Sequence, residues 1–312
     1  MKLKWFDDEL AAGRLDELLR KVKILYTDLD GTLLGRRGCL LVDGNNQPSA
    51  RTANTIVAAN LCDELTIVPV TGRSVTQLIE VSRLCDWNDF IAEVGAVRSY
   101  WHADKGLREN IYETPEWPDE VLRSAQDKRV PLKTPLDIIN ASGAMELLEQ
   151  TFPGQVEYHS PWNVNRQATN VLRGRIDMAR ASELLATIEP AITLVENGII
   201  QPSAHSLVAS DEPIRAYHLT PTGASKATAI RADLAYRGIR REEALMIGDG
   251  LADLECAPEV AATIMVRNFI SDQAMEELAA LTPQVYVTRG ARGDGWSELV
   301  HAILTALNST GV

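Results

Sequence analysis

Short apolar segments that end in acidic or Thr-Gly turns, and are followed by helical patterns, recur at both ends of the chain. Residues 22–27 are apolar and rich in β-forming side chains, and they end abruptly at Asp28. Residues 65–70 end at Thr71 and Gly72, after which apolar residues keep helical spacing. Such alternation predicts parallel strands joined by right-handed helical crossovers.

The C-terminal part of the chain repeats this rhythm. Helices are predicted near residues 224–236, 271–280 and 296–307, and strands at 244–247, 260–266 and 285–288. Ligands of parallel sheets bind beyond the carboxyl ends of the strands. The acidic and Thr-Gly turns fall at those ends, so we expect the functional site there.

Two local features qualify this pattern. Pro69 stands inside a predicted strand, although proline is usually confined to strand ends and edges, so the limits of that strand are left open. An amphipathic helix is predicted before the first strand from the spacing of five apolar residues, Phe6, Leu10, Leu15, Leu18 and Leu19.

The middle of the chain has a different composition. It is punctuated by proline and tryptophan and reads as an inserted α+β domain. We therefore predict a helical extension at residues 1–21, a core at 22–95 and 220–312, and an insertion at 96–219. The predicted fold class is α/β, with a Rossmann-like parallel-sheet core.

Charge and composition exclude several classes of protein. The net charge of −12 argues against a nucleic-acid partner, because affinity for a phosphate backbone comes from clustered lysine and arginine. No apolar run approaches the ~18–20 residues that span a bilayer, which argues against a membrane protein. The first 21 residues lack the pattern of a secretory signal, so we expect a cytoplasmic location. The four cysteines are widely spaced, which favours reduced structural thiols.

Two carboxylates stand on the turn after the first strand. An aspartate with an ordinary pKa of about 3.9 is ionised at neutral pH, so Asp28 can act as a nucleophile. Asp30 needs a proton before it can donate to a leaving oxygen, and burial or a neighbouring like charge would favour that form. Gly31 gives the turn room, and the N–H groups after the pair, including that of Thr32, would face phosphate oxygens. The alternative is a simple turn with solvated acids.

A second acidic turn, Gly-Asp-Gly-Leu-Ala-Asp, follows the strand near residue 247. Asp249 is well placed as a ligand for Mg²⁺, which takes oxygen ligands and commonly binds only one or two carboxylates. Asp253, four residues on, would orient Asp249 or a metal-bound water. The alternative is a helix start with acids near its positive end.

Positive charge and anion-binding groups come from two further segments. Lys226 opens a predicted helix and can meet phosphate oxygens, although an ordinary surface lysine is the alternative. A nucleotide P-loop is rejected, because Ala227 stands where Ser or Thr is required. Thr71 and Gly72 offer a hydroxyl and an N–H group before a helix, where an ordinary N-cap is the alternative.

The segments DLDGT, TGR, a lysine and GDGxxD occur in that order and together resemble the haloacid dehalogenase (HAD) superfamily of phosphatases. The resemblance covers residues 22–95 and 220–307. The chain is similar in particular to the Cof-type, class IIB members, in which a large C2-type cap lies between the second and third motifs. The pair Gly295-Trp296 is similar to the mannosyl-3-phosphoglycerate phosphatase branch and hints at a sugar-phosphate substrate.

The resemblance implies a role for each motif residue. Asp28 would be the nucleophile and Asp30 the general acid and base. Mg²⁺ would be held by Asp28, Asp249 and the carbonyl of Asp30, with Asp253 as a supporting acid. The phosphate-binding residues would be Gly31, Thr32, Thr71, Gly72 and Lys226.

The chain departs from the family pattern at two places. Ala252 stands where GDGxND has asparagine, and Val94-Gly95-Ala96 replaces Asn-Gly-Ala after the third strand. The first change would weaken contacts to phosphate or metal-bound water, and the second would alter the hinge into the cap.

The predicted function is therefore Mg²⁺-dependent hydrolysis of a small phosphate monoester, with a small phosphorylated metabolite as partner. A phosphomutase or phosphotransferase, and a non-catalytic protein that binds a phosphorylated metabolite, are the alternatives. His159, Trp162 and Arg166 are candidate pocket residues in the cap, where structural roles are the favoured interpretation. The sequence indicates no oligomeric state.

Overall fold

The fold is taken from a computed structural model that describes residues 2–126, 132–200, 213–271 and 273–309. The helices within these ranges are α1 (Phe6–Ala11), α2 (Asp16–Leu19), α3 (Arg51–Asn60), α4 (Val75–Cys85), α5 (Asp119–Gln126), α6 (Pro135–Ala141), α7 (Ala144–Thr151), α8 (Met178–Leu185), α9 (Lys226–Arg237), α10 (Leu251–Leu254), α11 (Gln273–Leu281) and α12 (Arg292–Asn308). The strands are β1 (Ile24–Thr27), β2 (Thr66–Pro69), β3 (Phe90–Ala92), β4 (Val97–His102), β5 (Leu107–Tyr112), β6 (Val156–Tyr158), β7 (Asn170–Gly174), β8 (Ile192–Ile200), β9 (Ile214–Pro221), β10 (Ala244–Gly248), β11 (Ala262–Met265) and β12 (Val285–Val287).

The chain divides into two compact units. The first comprises Met1–Thr71, Ser82–Ile91 and Lys226–Val312, and the second comprises Gly72–Val81 and Ala92–Ser225. The first unit contains a parallel five-stranded sheet in the order β12-β11-β10-β1-β2. The second contains an antiparallel sheet in the order β6-β7-β9-β8 and the antiparallel hairpin β4–β5. The predicted α/β class, with a parallel-sheet core and an inserted α+β region, is confirmed.

Apolar side chains on both faces of the sheet form the core of the first unit. One side of α9 packs against the sheet, since its buried residues follow helical spacing. Behind the sheet the fully buried Trp296 lies 6.4 Å from Trp87, measured between ring centroids. The core residues shared by the sheet and α9 include Ile24, Tyr26, Val68, Ala229, Ile230, Leu234 and Met246.

The second unit has its own apolar core, in which helices α6, α7 and α8 pack against the antiparallel sheet. Trp117 belongs to this core, and its indole N–H donates to the Ala191 carbonyl at 2.7 Å. A polar network is buried nearby. The Glu93 carboxylate accepts N–H bonds from Gln167, Ala168 and Thr169 at 2.8–3.0 Å.

The segment before β1 differs from the single amphipathic helix that we predict. It forms two short helices, because Gly13 takes a left-handed conformation (φ 69°) and ends α1. Ahead of α1, Trp5 bridges to Val287, and the Val287 N–H donates to the Lys4 carbonyl at 2.9 Å. Arg289 stacks 4.1 Å from the Trp5 ring centroid. These contacts cover the outer edge of β12.

Pro69 is the last residue of β2, where proline is compatible with the ladder. None of the described helices has both the length and the apolarity required to cross a bilayer.

Candidate active site

The carboxyl ends of the neighbouring strands β1 and β10 carry the two acidic turns. Thr27, the last residue of β1, is in register with Ile247 of β10. The Asp28 N–H donates to the Ile247 carbonyl at 2.9 Å, which places Asp28 beside the turn that contains Asp249. The parallel pairing therefore brings together two motifs that are more than 200 residues apart in the chain.

Three carboxylates meet at this edge of the sheet. Asp28, Asp249 and Asp253 each offer one oxygen, and these oxygens lie within 4.8 Å of one another. Asp28 and Asp253 are 6% and 2% exposed, and Asp249 is partly buried. Over the described ranges, this is the one group of three or more His, Cys, Asp or Glu residues with the spacing of a metal site.

Lys226 supplies the positive charge that the sequence analysis requires. Its Nζ donates to Asp28 Oδ1 at 2.8 Å and to Asp253 Oδ1 at 2.7 Å, and the side chain is 7% exposed. Burial alone would lower the pKa of Lys226, but the Asp253 and Asp28 carboxylates outweigh it and raise that pKa. Lys226 is therefore a buried ammonium that bridges two acids, and the surface-lysine alternative does not apply.

The position of Lys226 is fixed by the first turn of α9. Asp233, on the same buried face of this helix, accepts the Tyr26 hydroxyl at 2.7 Å and Arg237 Nε at 2.7 Å. Gly238 follows the helix in a left-handed conformation (φ 64°), a common helix terminator. The helix is thus tied to β1 through Tyr26, two residues before Asp28.

Asp253 holds the second acidic turn in shape. Its Oδ2 accepts the backbone N–H groups of Asp249 at 3.1 Å and Gly250 at 3.0 Å, and its Oδ1 accepts Lys226. Both oxygens are engaged by protein donors, which favours a supporting role over direct ligation of a metal. The role of Asp253 as the supporting acid that the resemblance implies stays a prediction.

Burial shifts the pKa values of the other two acids. It raises the pKa of Asp28 to about 8 against the opposing charge of Lys226, which corrects the expectation of an ordinary pKa for this acid. It also raises the pKa of Asp249 to about 7, with a further contribution from Asp253. With all three acids ionised, the cluster carries three negative charges and one positive charge, a net charge of −2. A divalent cation would balance that charge, and carboxylate oxygens are the ligands that Mg²⁺ prefers, so the residues present fit Mg²⁺.

A pH-dependent stabilisation by Mg²⁺ follows from these shifts. Since the folded-state pKa values of Asp28 and Asp249 lie above the ordinary 3.8, their contribution to stability is present at low pH and lost as pH rises through about 7 to 8. Mg²⁺ should offset this loss, because it binds the ionised acids. We expect the Mg²⁺-induced rise in melting temperature, measured against EDTA, to be larger at pH 8.5 than at pH 5.5. Equal shifts at the two pH values, at matched ionic strength, would contradict the assignment.

The turn after Asp28 is packed against Asp249. The Thr32 hydroxyl lies 3.2 Å from Asp249 Oδ1 and 3.4 Å from Asp28 Oδ2, so it contacts both carboxylates. The Gly31 and Thr32 N–H groups donate inside the turn, to the carbonyls of Leu34 at 3.0 Å and Leu29 at 3.3 Å. Neither amide faces outward as the expected anion nest. The phosphate-binding role of both residues stays a prediction.

Gly31 is required by conformation and by space. Its φ is +90°, and a Cβ built there would overlap Asp249 Oδ2. We expect Gly31→Ala to weaken Mg²⁺ binding by roughly tenfold or more, as when a group that orients a metal ligand is lost. The control is Gly106→Ala, which has a similar φ of +62° and no atom within 4 Å of the added Cβ. Equal Mg²⁺ affinities for the two variants, by isothermal titration calorimetry, would count against the clash.

Asp30 is exposed. Its backbone bridges to Leu34, which closes the turn that follows Asp28. The Asp30 side chain therefore lies two residues after Asp28 on this turn and is open to solvent. Its role as general acid and base stays a prediction.

Thr71 and Gly72 follow β2, the strand next to β1. Thr71 is 2% exposed, and its N–H donates to the Ile91 carbonyl at 3.0 Å. Ser74 caps the helix that begins at Val75, since its Oγ accepts the Gln77 N–H at 3.4 Å, so the N-cap alternative for Thr71 does not hold. Gly72 belongs to the second unit. The phosphate-binding role of Thr71 and Gly72 stays a prediction.

The candidate residues of the insertion differ in their surroundings. Arg166 is buried beside Glu93 and donates to the Gly72 carbonyl at 2.9 Å, which is a structural role. Burial lowers the pKa of His159. Trp162 is 52% exposed and is the one of the three whose surface is open.

Solved structures share this architecture. The sucrose-phosphatase from Synechocystis sp. PCC6803, solved in complex with sucrose and phosphate, is 13% identical over 91% of this chain and 98% of its own, with a TM-score of 0.57. A haloacid dehalogenase-like hydrolase from Bacteroides thetaiotaomicron is 15% identical over 90% of this chain and 99% of its own, with a TM-score of 0.55. The chain has the haloacid dehalogenase-like hydrolase fold. A HAD subclass IIB sugar phosphatase is 19% identical over 93% of this chain and 99% of its own, with a TM-score of 0.51. No family model and no curated protein matches the sequence.

Within this haloacid dehalogenase-like fold, the structure brings Asp28, Lys226, Asp249 and Asp253 into direct or near contact. The sequence analysis missed Asn268, whose Nδ2 donates to Asp249 Oδ2 at 3.0 Å. The sequence contained only a weak indication that Asn268 belongs to the site. Asn268 follows a predicted strand at the same edge of the sheet, yet it belongs to none of the four recognised segments.

Val94, which stands where the family pattern has asparagine, adopts an unfavourable backbone conformation. Val94 takes a left-handed conformation (φ 55°, ψ 29°), which is rare for a β-branched residue and easier for asparagine. Nothing in the structure explains the alanine at position 252.

Proposed function

We propose that this protein is a Mg²⁺-dependent phosphatase that hydrolyses a small phosphate monoester through an aspartyl-phosphate at Asp28. The observation that carries the proposal is the cluster of Asp28, Asp249 and Asp253, in which Asp28 and Asp253 accept the Lys226 ammonium. It combines a nucleophile, a fixed positive charge and carboxylate ligands at one strand edge. The likeness to solved phosphatases supports the reaction class.

The contacts of Asp28 support one of its two carboxylate oxygens as the attacking atom. Its Oδ1 accepts the Lys226 ammonium at 2.8 Å, whereas Oδ2 has the longer 3.4 Å contact with Thr32. Oδ2 is therefore the less constrained oxygen, and we assign it as the nucleophile for in-line attack on phosphorus. Lys226 fixes the rotation of the carboxylate, and its charge opposes repulsion between the anionic nucleophile and the phosphate.

Asp30 serves both halves of the proposed reaction. In the first half it donates a proton to the leaving alcohol as the P–O bond breaks and the aspartyl-phosphate forms. In the second half it removes a proton from the water that attacks the aspartyl-phosphate, which releases inorganic phosphate and restores Asp28.

Mg²⁺, when bound, would supply positive charge to the phosphoryl oxygens. Asp28, Asp249 and the backbone carbonyl of Asp30 would hold it, and Asp253 would keep the second turn in place. Thr71, Gly72 and the Gly31–Thr32 turn are the proposed phosphate contacts.

Sugar phosphates are the proposed substrate class. Two of the similar solved structures are described as a sucrose-phosphatase with bound sucrose and phosphate and as a sugar phosphatase. The proposed cap, residues 96–219, would select the leaving group. We keep a cytoplasmic location as a prediction.

The test is phosphate release from a panel of sugar phosphates, phosphoglycerate derivatives, nucleotides and p-nitrophenyl phosphate, with Mg²⁺ and with EDTA. The proposal expects Mg²⁺-dependent turnover with sugar phosphates among the best substrates. Transfer of the phosphoryl group to an added sugar acceptor, in preference to water, would favour the phosphomutase or phosphotransferase. Binding of Mg²⁺ and phosphorylated ligands without any turnover would overturn the enzymatic proposal.

A further inference from the structure

Asn268 lies on the turn that follows β11 and is partly buried. Its side chain contacts both acidic turns of the candidate site. Nδ2 donates to Asp249 Oδ2 at 3.0 Å and to the Gly31 carbonyl at 3.0 Å. A carboxamide NH₂ group has two hydrogens, and these two contacts use both.

The orientation of this carboxamide is set from its other end. Asn268 Oδ1 accepts a hydrogen bond from the backbone N–H of Arg292 at 2.9 Å. A backbone N–H group can only donate. The NH₂ group must therefore face Asp249 and Gly31, and a flipped amide would place its oxygen against two other acceptors. The hydrogen-bond pattern assigns the orientation without ambiguity.

The Arg292 backbone is itself held in place. Its side chain NH1 donates to the Gly44 carbonyl at 2.6 Å, and the Gly44 N–H donates to Asp294 Oδ2 at 2.9 Å. These bonds join the first turn of α12 to the loop that contains Gly44. Asn268 is thus supported by a rigid neighbour, as a residue that orients others must be.

We propose that Asn268 is a positioning residue that fixes the Asp249 carboxylate for cation binding. This inference rests on the proposed Mg²⁺-dependent function. Asn268 anchors Asp249 Oδ2 and Thr32 anchors Oδ1, so rotation of the carboxylate is restricted from both sides. The bond to the Gly31 carbonyl also ties the turn of the nucleophile to the turn of Asp249. Donors of this kind keep ligating carboxylates in the geometry that a metal requires.

The test is isothermal titration calorimetry of Mg²⁺ into wild type, Asn268→Ala and Asn268→Leu. Both substitutions remove the donors, and leucine keeps the number and branching of the side-chain heavy atoms of asparagine. We expect the Mg²⁺ dissociation constant to rise by roughly tenfold to a hundredfold in both variants. In phosphate release, the half-saturating Mg²⁺ concentration should rise likewise, and kcat should recover toward wild type at saturating Mg²⁺.

The matched control is Asn60→Ala in the same unit. The Asn60 amide also donates to a backbone carbonyl, that of Cys85 at 2.8 Å, and accepts an N–H, that of Trp87 Nε1 at 3.2 Å. It should lower the melting temperature in EDTA without changing Mg²⁺ affinity. An unchanged Mg²⁺ affinity in a folded Asn268 variant would overturn the inference, and the leucine variant decides if the alanine variant does not fold. A wild type that neither binds Mg²⁺ nor releases phosphate would instead overturn the proposed function, and the inference with it.

Discussion

Asp28→Asn is expected to abolish phosphate release from every substrate while the protein stays folded. Asparagine keeps the shape of the side chain, but its amide cannot form the acyl phosphate on which the proposed reaction depends. Loss of the nucleophile of a hydrolase costs about 10⁶-fold in kcat where it has been measured by mutation, so the residual rate should fall below detection. The measurement is phosphate release at saturating Mg²⁺, with circular dichroism to confirm folding.

Two companion variants make this result specific. Asp63→Asn removes an exposed carboxylate from the same unit and should leave turnover unchanged. Asp30→Asn should form the aspartyl-phosphate with p-nitrophenyl phosphate, whose leaving group needs little protonation, and should hydrolyse it slowly. Intact-protein mass spectrometry should then show one added phosphoryl group on Asp30→Asn and none on Asp28→Asn. Full turnover by Asp28→Asn would remove Asp28 from the mechanism.

Lys226→Met should give the largest loss of stability among the site variants. The substitution removes the ammonium between Asp28 and Asp253 and leaves these two buried acids without an opposing charge. Breaking a buried ion pair from one side typically costs about 3–5 kcal/mol. We expect a loss of that size in the free energy of unfolding, measured by urea denaturation in EDTA at pH 8.5, together with loss of phosphate release.

A measurement at lower pH and a variant of a second lysine test whether loss of the ammonium causes the loss of stability. At pH 5.5 the cost should be smaller, because the acids that lose their partner can take up protons. Lys23→Met removes a lysine that pairs with Glu243 at 2.7 Å but is 60% exposed, so it should change stability little. A cost for Lys226→Met that is no larger than that for Lys23→Met would show that the ammonium does not stabilise the acidic cluster.

The sequence predicted the parallel sheet well because its strands are short apolar runs that end at recognisable turns. The register of Thr27 with Ile247 then brings Asp28 and Asp249 together without further information. The pairing of Lys226 with both Asp28 and Asp253 was not predictable, because it depends on how α9 packs on the sheet. The N-terminal helix was wrong in detail, since the spacing of apolar residues carries across Gly13 although the backbone does not.

The contacts made by lone polar residues were the hardest to foresee. Asn268 has no periodic or motif context, and its role is visible only when three separate turns meet. The exposure of Asp30 and the inward-donating amides of Gly31 and Thr32 are likewise properties of a turn conformation. Residue types indicated the chemistry of this turn, whereas the direction of each donor depends on the folded backbone.

The contact between Trp5 and Val287 has a consequence for solubility. An exposed strand at the edge of a sheet presents unpaired N–H and carbonyl groups that can recruit strands from other molecules and start aggregation. The backbone of residues 4–5 occupies the edge of β12, and the stacking of Arg289 on Trp5 adds charge beside it. Because residues 4–5 are synthesised long before β12, they are available to cover the edge of this strand as soon as it leaves the ribosome.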